Sequence, residues 1–380
     1  MTATLASNDT TNAAMLYMAL ELSASKWRLA FGADGTERVR QVVVDAGDLA
    51  GLSQAIERAK AKLGLAPEAA VSSVYEAGRD GFWLHRWLLA QGIDNRVIDA
   101  ASVELRQGKK RRKTDRLDAA LLLRKLRAWL SGDRRVFSVV RVPPEAVEGL
   151  RRLERERERL RKERDGHGSR IRSLLATEGH LRVSLARGFP ERLRQLRRWD
   201  GAPLAPALVA ELEREWARLE QVRSQLSTVE AEQRRAVQEA DTAPLVLVRA
   251  LMRLKGIGWT SAWILVFECL GWRSFANRRE VAGFAGLTPT PFDSGASRRE
   301  QGIDKNGNRR VRTLLVELAW RWLRWQPDSA LSRWFQQRYG SGSKRQRRIG
   351  IVALARRLLI QLWRYAAHGE VPGDVVLKAV

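Results

Sequence analysis

Four acidic residues in the first third of the chain could together hold a divalent metal ion. Glu21 and Glu76 lie at the ends of two apolar, strand-like stretches, and Asp115 and Asp118 stand three residues apart on a predicted helix. Residues three apart project from one side of a helix, so four carboxylates could converge. Carboxylate oxygens suit Mg²⁺ or Mn²⁺, which can stabilise both oxygens of a phosphoryl transfer. The alternative is structural: Asp115 would then favour the positive end of the helix dipole, and Glu76 would be a surface turn residue.

A basic run immediately precedes the helical pair of aspartates, and Thr114 is the predicted N-cap of the helix 115–130. A loop of this kind could deliver a phosphate backbone to a metal ion, although a solvated charge run is the simpler explanation. The run consists of Lys109, Lys110, Arg111, Arg112 and Lys113.

A second pattern surrounds Gly256 and Gly258, which lie between two apolar helical stretches. Glycines that flank an apolar residue allow a tight turn, and the free N–H groups of the next helix can bind an anion. The pattern is similar to a helix-hairpin-helix element, which binds nucleic-acid backbones without reading their sequence. A plain helix-helix corner is the alternative.

A third pattern is a Pro-rich loop that contains Ser294, Gly295 and Ser297. An accessible serine could act as a nucleophile, with basic residues holding a phosphate around it, but Ser-Gly in such a loop is usually only a turn. The spacing of the histidines does not indicate a Ser-His-Asp arrangement. The basic residues near the serines are Arg298, Arg299, Lys305 and Arg312.

The elements that must position these residues form three predicted parts. Residues 1–135 show a β-meander followed by alternating helices and strands, which predicts an α/β domain with a mixed sheet. Residues 145–242 carry charged and apolar residues at helical spacing and predict a hairpin or coiled coil of two long helices, weakened near 166–168. Residues 243–380 are predicted to be α-helical, with a loop from 288 to 307.

Composition and charge narrow the class of partner. The 380 residues carry a formal charge of +25, and the surplus is confined to residues 106–380, which hold 58 basic and 30 acidic side chains. A segregated surplus of this size indicates a surface for nucleic acid, because Lys and Arg displace counterions from phosphates. A single cysteine, Cys269, excludes disulfide scaffolds and cysteine-based metal modules. No stretch is apolar enough for a membrane span, so a cytoplasmic protein is predicted.

Taken together, these motifs resemble the DEDD-type insertion-sequence transposases, which join a RuvC-like (ribonuclease H-like) N-terminal domain to a serine-bearing C-terminal domain. The resemblance covers nearly the whole chain and follows the family's order. Its most specific pieces are Lys113-Thr-Asp115-Arg-Leu-Asp118, Gly256-Ile-Gly258, Phe284-Ala-Gly286-Leu-x-Pro289, Ser294-Gly295 and Lys305-x-Gly307-Asn308.

The resemblance implies that Glu21, Glu76, Asp115 and Asp118 bind the metal, with Glu21 standing where the family has Asp. It implies that Ser294 attacks DNA and holds a strand covalently, with Ser297 as the second candidate. It also implies a composite active site in a homo-oligomer, a dimer or a tetramer, and a structured guide RNA encoded by the element.

Three functions follow as hypotheses. The first is a site-specific DNA recombinase, or transposase, that uses the metal, the serine and the guide RNA. The second is a metal-dependent structure-specific nuclease or junction resolvase, in which the serine has no role. The third is a non-catalytic nucleic-acid-binding protein, for which the charge and the helix-hairpin-helix element suffice.

Overall fold

The computed structural model describes residues 14–79, 81–99, 102, 115–294 and 297–378, without the side chains of residues 115–117 and 291–301. The chain divides into two compact units, residues 1–142 and 143–380. Each unit has its own apolar cores. No helix among the described residues has the length and apolar character needed to span a lipid bilayer.

The first unit is built on a mixed five-stranded sheet, as predicted. The strands lie in the order β3-β2-β1-β4-β5. β1, β2 and β3 form an antiparallel meander, whereas β4 is parallel to β1, and β5 is parallel to β4. The bounds are β1 Leu16–Leu22, β2 Lys26–Ala33, β3 Arg40–Asp45, β4 Val71–Glu76 and β5 Asp94–Ile98.

Helices cover both faces of this sheet, which explains the apolar character of its central strands. In β1, Leu16, Met18 and Leu20 pack in one cluster with residues of the helices α1 and α2. Ala19, on the opposite face, packs with residues of α3. Alternating side chains of a strand point to opposite faces, so β1 is buried on both sides. The helices are α1 Leu49–Lys62, α2 Trp83–Ala90 and α3 Asp115–Leu130.

The second unit begins with the predicted hairpin of two long helices, α4 Glu145–Ala176 and α6 Pro206–Glu239, with the short helix α5 Phe189–Gln195 between them. The helices are antiparallel, because an early residue of α4, Glu154, contacts a late residue of α6, Gln233. The predicted weakness near 166–168 was wrong. α4 continues through both glycines, since packing of the flanking apolar residues against α6 offsets the low helix propensity of glycine.

The rest of the second unit is mainly helical, with one departure from prediction. The stretch predicted as a loop from 288 to 307 contains an antiparallel hairpin of strands β6 and β7. The hairpin sequence lacks the alternating apolar residues that indicate a strand, so the two strands could not be predicted from the sequence. The elements are α7 Ala243–Met252, α8 Trp259–Leu265 with a π-helical turn Val266–Leu270, α9 Arg278–Phe284, β6 Pro289–Ser294, β7 Ser297–Ile303, α10 Arg309–Trp325, α11 Ala330–Tyr339 and α12 Lys344–His368.

Candidate active site

The ends of the two central parallel strands carry the first two acidic residues side by side. The register of β1 and β4 pairs Leu20 with Tyr75. The next residue of β1 is Glu21, and the next residue of β4 is Glu76. Side chains at equivalent positions of parallel neighbours point to the same face of the sheet. The two carboxylates therefore share one face.

The helix α3 covers that same face. Ala19 and Val74, which stand two residues before Glu21 and Glu76, pack in one apolar cluster with Ala119 of α3. Because strand side chains alternate with a period of two, Glu21 and Glu76 project to the α3 side of the sheet.

The direction of α3 brings its first turn toward these carboxylates. Near the other end of the helix, the Arg127 guanidinium lies 5.4 Å from the ring centre of Tyr17, at the start of β1, and donates a 2.8 Å hydrogen bond to the carbonyl oxygen of Ala33. α3 therefore runs antiparallel to β1. Its N-terminal part, with Asp118, lies toward the end of β1 that carries Glu21.

Asp118 is partly buried, and its Oδ2 atom is buried and accepts no hydrogen bond from any described residue. Asp115 is the first residue of α3, but the structure does not describe its side chain. The basic run Lys109 to Lys113 also lies outside the described residues.

The chemistry of these residues fits a hard divalent cation. All four are carboxylates, and the buried Asp118 oxygen accepts no hydrogen bond from the described part of the chain, a situation that folded proteins usually avoid. Among the described side chains, no group of three or more His, Cys, Asp or Glu is already gathered closely enough to hold a metal. The side chain of Asp115 is not among those described.

The two candidate serines lie at the end of the β6–β7 hairpin. Ser294 pairs with Ser297, and this is the last pair before the turn. The turn residues 295 and 296 lie outside the described residues. So do the side chains of Ser294 and Ser297, and those of Arg298 and Arg299.

The base of this hairpin is held by a close backbone contact between two glycines. A Cβ atom built on Gly307 would lie 2.3 Å from the Gly286 nitrogen and 2.5 Å from the Phe284 oxygen. The N–H of Lys305 donates to the Gly286 carbonyl at 3.1 Å, and that of Asn308 donates to the Phe284 carbonyl at 2.7 Å. The two segments that flank the hairpin are therefore fastened together through their backbones.

Arg312 and Lys305 belong to this same backbone arrangement. Nη1 of Arg312 donates to the carbonyl oxygens of Ala285 and Lys305, both at 3.0 Å. Lys305 has a positive φ of 63°, a conformation that residues other than glycine rarely adopt. The structure thus places Arg312 and the Lys305 backbone at the hairpin base, while the side chain of Lys305 is exposed.

The turn at Gly256 and Gly258 joins α7 to α8, as the helix-hairpin-helix pattern predicts. Gly256 has a φ of +97°, and a Cβ atom built there would lie 3.1 Å from the Cβ of Trp325. The side chain of Lys378 donates a 2.8 Å hydrogen bond to the Ile257 carbonyl. The structure therefore gives Gly256 a packing role against α10, and a segment near the C-terminus contacts the turn.

Sequence reasoning missed a buried ionic cluster that joins the helical hairpin to the helices after it. The carboxylate of Glu268 is almost fully buried and accepts hydrogen bonds from Arg151 at 2.9 Å and from Arg310 at 3.2 Å. Alternating charge on α4 indicated ion pairs in general, but the partners lie 117 and 42 residues away along the chain. Only folding brings them together.

Comparisons with known proteins find transposases along most of this chain. The family model for a DEDD-type transposase of the IS110 group matches residues 19–178, and the model described as "Transposase IS116/IS110/IS902 family" matches residues 248–334. A protein of Sinorhizobium fredii named "Putative transposase y4rJ" is 40% identical over 377 residues, which cover 96% of this chain and 94% of that protein. The "Transposase for insertion sequence element IS1328" of Yersinia enterocolitica is 24% identical over 230 residues, 60% of this chain and 65% of that protein.

These matches, the mixed sheet and the helical second unit define a DNA transposase. The chain belongs to the IS110 family of insertion-sequence transposases.

Proposed function

We propose that this transposase cuts and joins DNA strands with an acidic, divalent-metal site in its first unit and a serine nucleophile in its second. The observation that carries the first part is the parallel register of β1 and β4, which sets Glu21 beside Glu76 on the face that α3 covers. Asp118 and Asp115 belong to the part of α3 directed toward that end of the sheet. The order of the strands, with an antiparallel meander beside parallel β4 and β5, supports a ribonuclease H-like fold.

Glu21, Glu76, Asp115 and Asp118 would hold Mg²⁺ or Mn²⁺. When bound, the metal supplies positive charge at the phosphate oxygens of DNA. The longer side chain of Glu21, where the family has Asp, places its carboxylate one methylene further from the backbone. The role of the four carboxylates would be to fix the position of the cation, and the basic run from Lys109 to Lys113 would bind the adjoining phosphate backbone.

The serine supplies the covalent step. The Oγ atom of Ser294 attacks a DNA phosphorus atom, so an Oγ–P bond forms while the bond from phosphorus to one deoxyribose oxygen breaks. The serine proton passes through water to the departing oxygen. Joining reverses this exchange with a different strand: its hydroxyl oxygen bonds to phosphorus, the Oγ–P bond breaks, and Oγ regains a proton.

The position of the serines supports this role. Ser294 and Ser297 form the terminal pair of a hairpin whose base is fixed by the contact between Gly286 and Gly307. Arg298 and Arg299 follow in β7 and would bind phosphates of the DNA strand that the serine attacks. A hairpin that is fixed at its base and carries the nucleophilic serine at its tip is suited to reaching a large substrate such as DNA.

We also propose that an element-encoded, structured RNA and a second copy of this chain complete the active complex. The 58 basic residues in the segment 106–380 support a polyanionic partner in addition to the target DNA. Reconstituted strand exchange should then require that RNA, and the active complex should have the mass of a dimer or a tetramer.

The test of the serine compares two substitutions at the same end of one hairpin. Ser294→Ala should abolish the covalent protein–DNA species seen after denaturing electrophoresis, and Ser297→Ala should retain it. Loss in Ser297→Ala alone would move the role to Ser297. Strand cleavage that survives both changes but fails in Asp118→Asn would favour the metal-dependent nuclease instead.

A further inference from the structure

A cleft in the second unit lies between the helical hairpin and the helices α8 and α10. Its volume is about 490 Å³. Four helices contribute its lining residues: α4 contributes Arg157, Arg161 and Arg164, α6 contributes Glu230, α8 contributes Thr260, Ser261 and Ile264, and α10 contributes Leu314, Glu317 and Arg321. None of these residues belongs to the acidic site or to the serine hairpin.

The arginines of the cleft are spaced along one face of α4. Residues four and seven apart stand above one another on a helix, so Arg157, Arg161 and Arg164 form a single row. With a rise of 1.5 Å per residue, the row is about 10 Å long. That length matches about three nucleotides of one strand at about 3.4 Å each.

The positive charge of this row is only partly neutralised within the protein. Arg157 is buried and held by Glu230 at 3.0 Å and Glu154 at 3.3 Å, so it forms a fixed floor. Arg161 and Arg321 are exposed, and neither forms an ion pair with a described residue. Two exposed guanidinium groups therefore line the same cleft, Arg161 from α4 and Arg321 from α10.

Glu230 and Glu317 do not cancel this surplus. Glu230 already accepts hydrogen bonds from Arg157 and Arg234. Glu317 is exposed at the edge of the cleft. Arg164 forms an ion pair with Asp165 at 2.7 Å, and Arg157 is neutralised by Glu154 and Glu230. The positive surplus of the cleft therefore rests on Arg161 and Arg321, against the single carboxylate of Glu317.

The remaining lining selects the chemistry of the ligand. Hydroxyl groups of Thr260 and Ser261 add donors of the kind that bind phosphate oxygens beside arginine. The apolar lining consists of Ile264 and Leu314, and no aromatic ring is among the residues that line the described cleft. A free nucleotide would need a surface for its base, so the lining favours a phosphate backbone over a single nucleotide.

We propose that this cleft binds the phosphodiester backbone of a nucleic-acid strand, without reading its sequence. The proposal rests on the proposed function to the extent that the transposase acts on nucleic acid, but it involves none of the catalytic residues. Arg161 and Arg321 hold the phosphates at the entrance, and Arg157 supplies a fixed charge behind them.

The experiment measures binding of the full chain to labelled DNA and to labelled RNA of equal length, at several salt concentrations. Arg161→Ala/Arg321→Ala should weaken binding about tenfold and reduce the salt slope by about two, since each lost phosphate contact removes about 0.9. The control is Arg159→Ala/Arg235→Ala, which removes the same charge from exposed positions of the hairpin outside the cleft. If the cleft variant loses affinity for DNA only, the cleft binds DNA, and if it loses affinity for RNA only, the cleft binds RNA. A loss for both means that the cleft binds either polymer.

A second variant tests the same cleft in the opposite direction. Glu317→Gln removes a negative charge at its edge and should tighten binding two- to threefold. The proposal is wrong if the cleft pair weakens binding no more than the control pair, or if Glu317→Gln leaves the affinity unchanged. A failure of the proposed function would give a different result. In that case Asp118→Asn would keep its cleavage activity, while the cleft variants would still bind nucleic acid more weakly.

Discussion

At the scale of single residues, Asp118 combines two features that a folded protein rarely tolerates together. Its Oδ2 atom is buried, and no described residue donates a hydrogen bond to it. A buried carboxylate oxygen that accepts no hydrogen bond destabilises the folded state unless a cation binds it. The same side chain that supports catalysis should therefore weaken the metal-free protein.

This conflict predicts opposite effects of Asp118→Asn on stability with and without metal. Without metal, the variant should unfold at the same or a higher temperature than the unmodified chain, because a carboxylate with one buried oxygen that no described residue satisfies is gone. Saturating Mg²⁺ should stabilise the unmodified chain, by about 2.7 kcal/mol at one hundred times the dissociation constant. Thermal unfolding in Mg²⁺ and in EDTA measures the stability of each protein with and without metal. If Mg²⁺ raised the unfolding temperature of both proteins equally, Asp118 would not be a metal ligand.

Glu215 in the helical hairpin shows the opposite situation, a buried carboxylate with three donors. His167 lies at 2.7 Å, Arg170 at 3.1 Å and Arg218 at 2.5 Å. Burial opposes ionisation, but these hydrogen bonds outweigh it and lower the pKa of Glu215 to about 2. The ionised carboxylate therefore stabilises the packing of α4 against α6.

The lowered pKa predicts an acid-sensitive hairpin. A carboxyl whose pKa falls on folding stabilises the protein above its unfolded value, here 4.5, and that contribution is lost as the pH falls from about 4.5 to about 2. Glu215→Gln should lower the free energy of unfolding near pH 7 by roughly 1 to 3 kcal/mol and flatten its dependence on acid. Glu213→Gln, at an exposed position of the same helix, is the control and should behave like the unmodified chain in denaturant titrations at pH 3 and pH 7.

At the scale of elements, the β6–β7 hairpin depends on the backbone segments that flank it. Gly286 and Gly307 touch through their main chains, and Arg312 bonds to two carbonyl oxygens beside them. Both glycines belong to motifs on which the family resemblance rests. A requirement for close backbone contact explains the glycines without any direct contact with DNA.

The contact predicts that Gly307→Ala destabilises the second unit. The added Cβ would meet main-chain atoms at 2.3 and 2.5 Å, and backbone cannot turn aside as a flexible side chain can. The free energy of unfolding should fall by at least about 2 kcal/mol. Gly283→Ala in α9 is the control, because its nearest atom would lie at 3.9 Å, and alanine there should be neutral or stabilising in the same thermal unfolding experiment. Equal stability of the two variants would show that the contact can relax.

At the scale of the whole molecule, charge is divided along the chain. Residues 1–105 hold 10 basic and 13 acidic side chains, whereas residues 106–380 hold 58 and 30. The acidic positions Glu21 and Glu76 lie in the first segment, and the arginine cleft lies in the second. A strongly basic segment attracts DNA and RNA before any specific contact forms.

This division predicts that binding to DNA of arbitrary sequence depends steeply on salt. Each phosphate that the protein neutralises contributes about 0.9 to the slope of log affinity against log salt, so four contacts reduce affinity ~100-fold between 50 and 200 mM salt. Fluorescence anisotropy of the full chain with a duplex measures this slope. A slope near zero would mean that the basic surplus does not contact the backbone.

Several features of this protein could be predicted from local sequence. The apolar strand-like stretches of the first unit predicted the mixed sheet, and the helical spacing in α4 and α6 predicted the long hairpin, because each pattern extends over neighbouring residues. The acidic and serine motifs were likewise visible as residue types at short spacing, and their roles remain proposals. The β6–β7 hairpin was missed, since its strands carry no apolar alternation.

The tertiary structure decided which of these residues meet. Glu21 and Glu76 are 55 positions apart, and only the parallel pairing of β1 with β4 sets them side by side. Gly286 and Gly307 come into contact only because the hairpin between them closes. The arginines of α4 line one cleft with Arg321 only after the helices pack. Such contacts depend on register and packing between distant segments, whereas periodicity records only which face of its own element a residue occupies.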